Sequence, residues 1–550
     1  MAALIHDLVA RTAAARPDAT AIVTPHGRLS YGEMWAASGR LARALRESGC
    51  RDGDRVAIMV PKSADAIVAM LACLRARCLY VPVDVQNPAP RAARIIDACR
   101  PKVILATASS APLLSDVAAV SPAARAATLG RLGREAAVLD GLTFAFGPDE
   151  VASLPDAPPA LSGDPEMRAH ILFTSGSTGQ PKGVVIPHAG VVAFVEWSVG
   201  YFGIDGSDRV SGHAPLHFDL STFDIYGAFT AGAELHIVPP ELNLIPARLA
   251  AFIRERELTQ WFSVPSVLNY MAKLDAVRPD DFPSLKRLMW CGEAFPTPPL
   301  IHWMKRLPHV TFTNLYGPTE ATIASSYYTV PSCPEDPAVP VPIGVACGGE
   351  RLYVLDDAGN PAPPGEIGHL YIAGAGLAEG YWEDPEKTAA VFVPEVGHSD
   401  GSRMYRTGDL ARMGADGQVH FVGRADTQVK SRGYRIELGE IEAALGAIEG
   451  LKDYAVVAVD RGGFDGATIC CAYAPQDGAE LRPGELRARL ASRLPAYMLP
   501  TQWAVMDPLP KNANGKIDRP YLRNEVFAKQ IEGQAAGQAA GQAAGAEAGA

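Results

Sequence analysis

No apolar run in the sequence approaches the roughly 18 residues that a membrane-spanning helix requires; stretches such as residues 56–60 stop far short of it. Blocks of five or six basic residues are also missing, and 50 Lys and Arg face 61 Asp and Glu, a formal net charge of −11. Nucleic acid and anionic membrane surfaces demand clustered cations, so neither is expected as a main partner, while a local basic site for a small anion stays open. No Cys-x-x-Cys pair occurs among the nine cysteines, whose only close pair is Cys470 and Cys471. That odd, scattered set implies neither a disulfide framework nor a zinc site, and fits buried thiols in a reducing cytoplasm. An export signal is missing too: residues 1–16 mix Leu4, Ile5, Leu8 and Val9 with His6, Asp7 and Arg11, the pattern of an amphipathic helix. A cytoplasmic chain is expected.

What is present suits a large folded body. Of 550 residues, 48% are apolar and 20% charged, a globular composition with more than one domain at this length. The first four hundred residues alternate strand-like runs (55–60, 80–83, 170–174, 234–238) with helix-like ones (64–76, 91–99, 245–257). This rhythm predicts an α/β fold of helices over mainly parallel sheets. Residues 106–164, rich in Ala, Ser and Pro, read as surface connection. After Arg424 the texture becomes that of a smaller α+β unit, with Leu438, Ile441, Leu445 and Ile448 on one helical face, strands at 454–459 and 468–474, and a second helix marked by Leu486, Leu490 and Leu494. The expected organisation is a large domain over 1–425, a small C-terminal domain over 426–530, and a disordered Gly/Ala/Gln tail over 531–550 whose repeats carry nothing larger than alanine to bury.

The most telling segment follows the strand-like run at 170–173: Thr174, Ser175, Gly176, Ser177, Thr178, Gly179, Gln180, Pro181, Lys182, Gly183. Glycines let backbone N–H groups crowd around an anion, the hydroxyls add donors, and Lys182 adds positive charge, so this reads as a phosphate cradle. It is not a Walker A loop. Pro181 stands where the second glycine belongs, and Gly183 follows the lysine where Ser or Thr is needed for magnesium. A classical P-loop ATPase is disfavoured accordingly.

This loop resembles the phosphate-binding signature of the adenylate-forming enzymes, the superfamily of acyl-CoA synthetases, luciferase and nonribosomal peptide synthetase adenylation domains. Further segments resemble motifs of the amino-acid-activating branch in the family's own order: Leu29-Ser30-Tyr31-Gly32-Glu33, Tyr80-Val81-Pro82-Val83-Asp84, Phe218-Asp219, Asn314-Leu315-Tyr316-Gly317-Pro318-Thr319-Glu320, residues 365–382, Tyr405-Arg406-Thr407-Gly408-Asp409-Leu410, residues 423–442 and Asn514-Gly515-Lys516-Ile517-Asp518. Together they cover nearly everything up to about residue 525.

The resemblance implies a large nucleotide-binding domain, a small mobile one, and a reaction in which a carboxylate attacks the α-phosphorus of ATP while pyrophosphate leaves. It implies ATP-binding roles for Thr174, Ser175, Gly176, Ser177, Thr178, Gly179, Lys182, Gly292, Glu293, Ala294, Asn314, Leu315, Tyr316 and Gly317. In this scheme Tyr316 lies against adenine, Asn314 bonds its edge, and Asp409 and Arg424 hold the ribose. Thr319 contacts the α-phosphate, Glu320 holds Mg2+, and Lys516 is the catalytic lysine that bridges substrate carboxylate and phosphate. Such a site must hold two anions together and neutralise charge in an in-line transition state. Asp426 matches the family's hinge residue, with Lys430 and Gly433 beside a channel for a pantetheine arm.

In the family's amino-acid-activating members the aspartate at the Asp219 position pairs with the substrate's α-ammonium, a charge that must be matched in a desolvated pocket, so the resemblance implies an amino acid as the acid activated. The remaining pocket implied by the motifs is Leu220, Phe223, Ser263, Met289, Cys291, Leu315, Ile323 and Ala324, none charged, which favours a small neutral side chain. The Met289–Cys291 segment is similar to that of D-alanine:carrier-protein ligases. Alanine leads, ahead of glycine, serine and proline, with its configuration open and a β-amino acid also compatible. Only 34 residues follow Lys516, with no pantetheine attachment motif, and no His-His-x-x-x-Asp motif occurs anywhere. The expected enzyme is free-standing and hands its aminoacyl group to a separate acyl carrier protein bearing phosphopantetheine. Lys430, Arg432 and Arg435 are candidates to meet an acidic carrier. The alternatives are an acyl-CoA synthetase of the same fold acting on a non-amino acid, and a non-catalytic homologue serving as a binding subunit; the latter is disfavoured because Lys516, Glu320 and the glycine loop are intact.

Overall fold

The computed structural model describes residues 4–133, 142–157, 164, 167–176, 180–459, 467–476, 481–512 and 516–534. It divides into two compact units, Met1–Thr174 with Pro181–Asp426, and Ser175–Gln180 with Thr427–Ala550.

Strands and helices form where the apolar pattern and capping residues place them. Ser30 and Glu33 build a reciprocal capping box at the start of helix Tyr31–Glu47, and Ser63 caps helix Ala64–Arg75, each satisfying backbone N–H groups that a helix start leaves orphaned. The second of these helices is buried on all sides from Ala66 to Arg75, as its near-unbroken apolar sequence requires. Arg75, at its end, is tolerated because its guanidinium lies 3.6 Å from the Trp35 ring centroid and donates to Ser38 at 2.7 Å.

Among the described residues of the large unit, strands assemble into a nine-stranded, a seven-stranded and a five-stranded sheet. The first two are mixed but mainly parallel: Arg209–Gly212, Gln260–Ser263, Arg287–Trp290 and Thr311–Tyr316 run parallel in the nine-stranded sheet, and Arg55–Met59, Leu79–Pro82, Val103–Ala106 and Arg168–Thr174 in the seven-stranded one. Alternation along Arg287–Trp290 sends Met289 into one apolar cluster, with Phe262 and Leu315, and Leu288 and Trp290 into another, with Trp261 and Phe312. This is what period-two geometry demands of a sheet covered on both faces. The five-stranded sheet, from Glu350–Leu355 to Val419–Arg424, is wholly antiparallel, an element that the helix–strand rhythm did not separate out.

In the small unit, Gln428–Ser431 and Tyr434–Glu437 form a hairpin. Its two loop residues, Arg432 and Gly433, both have positive φ, 54° and 80°, as a type I′ turn requires. A three-stranded sheet of Leu451–Val459, Thr468–Pro475 and Gln502–Val505 carries helices Leu438–Gly446 and Pro483–Ala491 against one apolar cluster. Ile448 and Leu494 fall beyond the last helical residues yet are buried. The other face packs against Leu522 and Phe527. Residues 531–534, assigned by composition to a structureless tail, are helical and follow the helical stretch Leu522–Phe527, with Ile531 packed against the same cluster; residues 535–550 lie outside the described residues. Eight of the nine cysteines are buried, Cys333 is partly exposed, and all are free thiols.

Two buried carboxyl groups make the fold testable. Asp208, fully buried, lies 2.5 Å from Arg287 and 2.9 Å from the half-exposed Lys286. Asp208→Ala leaves the Arg287 cation unpaired and is expected to cost about 3 kcal/mol, whereas Lys286→Ala should cost under about 1 kcal/mol because water screens it. Urea unfolding of the two variants checks this, and equal losses would contradict it. Glu350 accepts from the Gly376 N–H at 2.6 Å, and burial raises its carboxyl from 4.5 to about 7. The folded state therefore binds the proton more tightly than the unfolded chain, a stabilisation complete below about pH 4.5 and lost as pH rises through about 7. Melting temperature should fall across that window relative to Glu350→Gln; a pH-independent gap between the two proteins would rule this out.

Candidate active site

The glycine loop connects Arg168–Thr174 to Lys182–Pro187, which are antiparallel neighbours with Thr174 opposite Lys182. A strand follows the loop where a P-loop would open a helix, which removes the classical ATPase on structural as well as sequence grounds. A Cβ on Gly176 would stand 2.0 Å from the Gln180 carbonyl oxygen, so only glycine fits this turn. Ser177, Thr178 and Gly179 lie outside the described residues.

Lys182 leads to a cluster of charge. Its ammonium is 3.9 Å from Glu320 Oε1 and 5.1 Å from the Tyr381 ring centroid, while the Tyr381 hydroxyl donates to the same carboxylate oxygen at 2.8 Å. Glu320 is fully buried. These groups meet because the short strand Gly380–Tyr381 pairs with Lys182–Pro187, Tyr381 opposite Val184, and because the Ala378 N–H holds the Glu320 carbonyl at 2.9 Å. Tyr381 was not singled out from sequence, although it lies within the 365–382 motif. Its signal was the Gly-Tyr-Trp run at the end of that motif.

Glu320 sits in a tightly closed loop. Thr311–Tyr316 ends in Gly317-Pro318, and a 3₁₀ turn, Thr319–Ala321, follows. A Cβ on Gly317 would be 2.5 Å from Ala324 Cα, so glycine is what allows the loop to fold onto itself. Thr322 and Ile323 both have positive φ, 49° and 72°. Two consecutive β-branched residues there are strained, and such strain persists only where contacts over-determine it. Here the Thr322 hydroxyl donates to the Gly376 carbonyl at 2.6 Å and the Ser325 N–H to the Tyr316 carbonyl at 2.8 Å.

The Tyr316 hydroxyl donates to Asp409 Oδ2, and Arg424 donates to Oδ1 at 2.5 Å. Asp409 and Arg424 are directly opposed on neighbouring strands. Burial, reinforced by the Asp409 charge, pushes the Tyr316 phenol well above its ordinary range, so it remains a donor. Arg424 also binds both carboxylate oxygens of Asp426. Asn314, on the strand face opposite Leu315, donates to the Pro342 carbonyl at 2.8 Å. Gly292 has φ +97°, the Glu293 carboxylate accepts from the Ser266 N–H at 3.1 Å, and Ala294 is exposed.

Asp219 begins the short helix Leu220–Thr222 and is 9% exposed. Leu220, Phe223, Met289, Cys291, Leu315, Ile323 and Ala324 all belong to a single apolar cluster, with the Cys291 thiol facing the Ile323 carbonyl at 3.8 Å. Phe262 and Phe194 stack edge-on against Phe223, each at 5.4 Å, and were not foreseen because they fall outside the recognisable motifs. The Ser263 hydroxyl accepts from the Trp261 indole at 3.0 Å and donates to the Val264 carbonyl, and Trp261 belongs to the other apolar cluster.

In the small unit Lys516 is exposed, and its backbone pairs with Asn512 in both directions, N–H to Asn512 Oδ1 at 3.1 Å and carbonyl from the Asn512 N–H at 2.7 Å. Asn514 and Gly515 lie outside the described residues. Lys430 lies on the first strand of the hairpin and Gly433 in its turn. Among the described residues no helix is long and apolar enough to cross a membrane.

Residues 9–382 match the family model described as AMP-binding enzyme, and residues 440–516 that of the AMP-binding enzyme C-terminal domain. Novobiocin biosynthesis protein H of Streptomyces niveus is 36% identical, over 96% of this chain and 84% of its own length. An L-proline--[L-prolyl-carrier protein] ligase of Pseudomonas fluorescens is 33% identical, over 96% of this chain and all of its own length. The chain spans under half of several longer curated relatives. The Vibrio cholerae adenylation domain AlmE, solved with glycyl-adenosine-5'-phosphate, superposes with a TM-score of 0.82 at 24% identity, over 96% of this chain and 98% of AlmE, a likeness of fold. With both domain models matched in order and the glycine loop, Glu320 loop and Asp409 pair built as above, the chain belongs to the AMP-binding enzyme family and is a ligase of the adenylate-forming kind.

Proposed function

We propose that the protein activates a small neutral amino acid as its aminoacyl-AMP and then passes the aminoacyl group to the phosphopantetheine thiol of a separate acyl carrier protein. The observation that carries this reading is Asp219, a nearly buried carboxylate at the start of a helix whose next residues enter an uncharged apolar cluster. An α-ammonium would match the charge of a carboxylate so placed, where the side-chain pocket beyond accepts only neutral groups. The size of Phe223, Met289 and Leu315 favours alanine, then glycine, serine or proline, with a β-amino acid also compatible. Relatives named as prolyl-carrier-protein ligases, and a structural neighbour containing adenylation and PCP domains, support the carrier as acceptor.

In the first step the substrate carboxylate oxygen bonds to the α-phosphorus of ATP and the bond to pyrophosphate breaks. In the second, the carrier's thiol sulfur bonds to the acyl carbon, AMP leaves, and the thiol proton is lost. Lys182 and the glycine loop cradle the phosphates, Thr319 contacts the α-phosphate, Tyr316 and Asn314 face adenine, and Asp409 with Arg424 holds the ribose. Lys516 bridges substrate carboxylate and phosphate. Among the described residues no group of three or more His, Cys, Asp or Glu side chains could hold a metal ion. Magnesium bound through one carboxylate and the nucleotide's own phosphates needs no such group, and the buried Glu320 beside Lys182 fits that role. Mg2+ would neutralise phosphate charge there. Asp426 acts as the hinge between the half-reactions, with Lys430 and Gly433 lining the pantetheine channel.

Pyrophosphate exchange across D- and L-alanine, glycine, serine, proline, β-amino acids, fatty acids and aryl acids tests the reading. Amino-acid-dependent exchange is expected, and exchange with fatty or aryl acids alone overturns it. Asp219→Ala should lower kcat/KM for the amino acid about 100-fold or more relative to the same acid without its amine, the scale of an unmatched buried charge. Lys516→Ala should lower adenylation about 100- to 1,000-fold with little change in ATP affinity, as loss of a transition-state contact does. Asp426→Pro should spare exchange and impair thioester formation; equal impairment of both would remove the hinge assignment.

A further inference from the structure

Six residues, His213 to Phe218, separate the end of strand Arg209–Gly212 from Asp219. Both backbone faces of that strand end are held by charged side chains. Lys62, just before the cap of helix Ala64–Arg75 in the neighbouring sheet layer, donates to the Gly212 carbonyl at 2.9 Å and the His213 carbonyl at 2.7 Å. Asp224, 1% exposed, accepts through Oδ2 from the N–H groups of His213 and Ala214 at 3.2 and 3.4 Å. Its Oδ1 is buried with no hydrogen-bond partner among the described residues.

Asp224 lies in the π-helical stretch Phe223–Gly227, directly after the three-residue helix that Asp219 opens. Its bond to His213 therefore closes a twelve-residue span, His213 to Asp224, with Asp219 near its middle. Inside the span the chain is braced again, the Phe218 N–H donating to the Pro215 carbonyl and the Ser221 hydroxyl to the Phe218 carbonyl at 2.7 Å. A buried polar pair that serves only packing is replaceable by apolar groups at little or no loss. One clamping both ends of a loop that carries a functional carboxylate sets that carboxylate's position, and π-turns recur at such sites.

On the reading that Asp219 meets the substrate ammonium, we infer that Lys62 and Asp224 are positioning residues that fix the Asp219 loop and thereby set the preference for acids bearing an amine. Three neighbours shape the pair. Burial holds His213 neutral, at about 3, and it bonds to Asn243 at 2.8 Å. Burial lowers Lys62 to about 8, opposed by Asp224 and Glu241, and raises the Asp224 carboxyl well above its usual range. An asparagine at 224 keeps the acceptor the two N–H groups use.

The experiment is pyrophosphate exchange by the full-length protein with the preferred amino acid, with the same acid lacking its amine, and with varied ATP. Asp224→Ala and Lys62→Met are expected to raise the amino-acid KM about tenfold or more and to erode the preference for the amine by a like factor, with the ATP KM within about twofold, the scale of a small misplacement of a binding group. Asp224→Asn should restore values to within about threefold of the parent. A merely structural role would lower melting temperature or raise both KM values together, and either pattern with the amine preference intact overturns the inference. Asp219→Ala run in parallel separates the two claims. If it leaves the amine preference unchanged, the ammonium assignment falls and the inference with it. If it alone abolishes the preference, only the positioning inference falls.

Discussion

The large unit depends on one requirement, that a carboxylate taken out of water must find donors. Asp409 is 3% exposed, and the donors come from different layers: Tyr316 from the nine-stranded sheet, and Arg424 from beside it in the antiparallel sheet. The Asp409 N–H is also fixed, donating to Thr407 Oγ1 at 3.0 Å, while Thr407 donates to the Leu370 carbonyl. A buried charge left with one partner fewer would cost several kcal/mol, so the pairing sets how the end of strand Thr311–Tyr316 meets the third sheet. The same holds one turn further on, where Glu320 draws Lys182 and Tyr381 from the seven-stranded sheet. Three sheets thus converge on two carboxylates.

That arrangement suits anion chemistry. Under the proposed function, the partners that satisfy the carboxylates in the described structure, Arg424 and Lys182, are the cations a nucleotide would call upon. A site that keeps its cations paired avoids holding bare like charges together, and a ligand bringing its own phosphates and metal can exchange partners without burying new unpaired charge. An overall net charge of −11 is compatible with this because the positive groups lie inside the unit, where screening by salt is weak.

Most of the fold was legible because its signals are local. Strand Arg55–Met59, helix Ala64–Arg75, strand Leu79–Pro82 and helix Ala89–Cys99 lie within a few residues of where apolar periodicity sets them. The antiparallel sheet was not, since two-sided strands such as Arg403–Met413 mix charge with apolar residues and their partners are distant in sequence. Of the residues inside long motifs, Tyr316, Asp409 and Arg424 meet one another in the fold, as do Lys182 and Glu320. Ser263 shows the limit: strand alternation gives its side chain to one face, yet the hydroxyl's bonds to Trp261 and Val264 depend on three-dimensional packing. Lys62 and Asp224 carried no signal at all, because their meaning lies in backbone groups 150 and 11 residues away.

Under the proposed function, the strained loop after Tyr316 joins recognition to chemistry. Glu320 and Thr319 stand at its start, and Ile323 and Ala324, members of the apolar cluster around Phe223, stand three and four residues later. Thr322 and Ile323 hold left-handed φ values that their β-branched side chains disfavour by about 1–3 kcal/mol each. The segment has little freedom to absorb a displacement, since Gly317 already abuts Ala324 and the Thr322 hydroxyl is tied to Gly376. A side chain that presses on Ile323 therefore moves the backbone that carries Glu320. Under the proposed function, a pocket that fills without force leaves the Glu320 carboxylate in register with the phosphates, and one that is overfilled shifts it. Discrimination between acids then acts through the position of the catalytic groups as well as through contact with the acid itself.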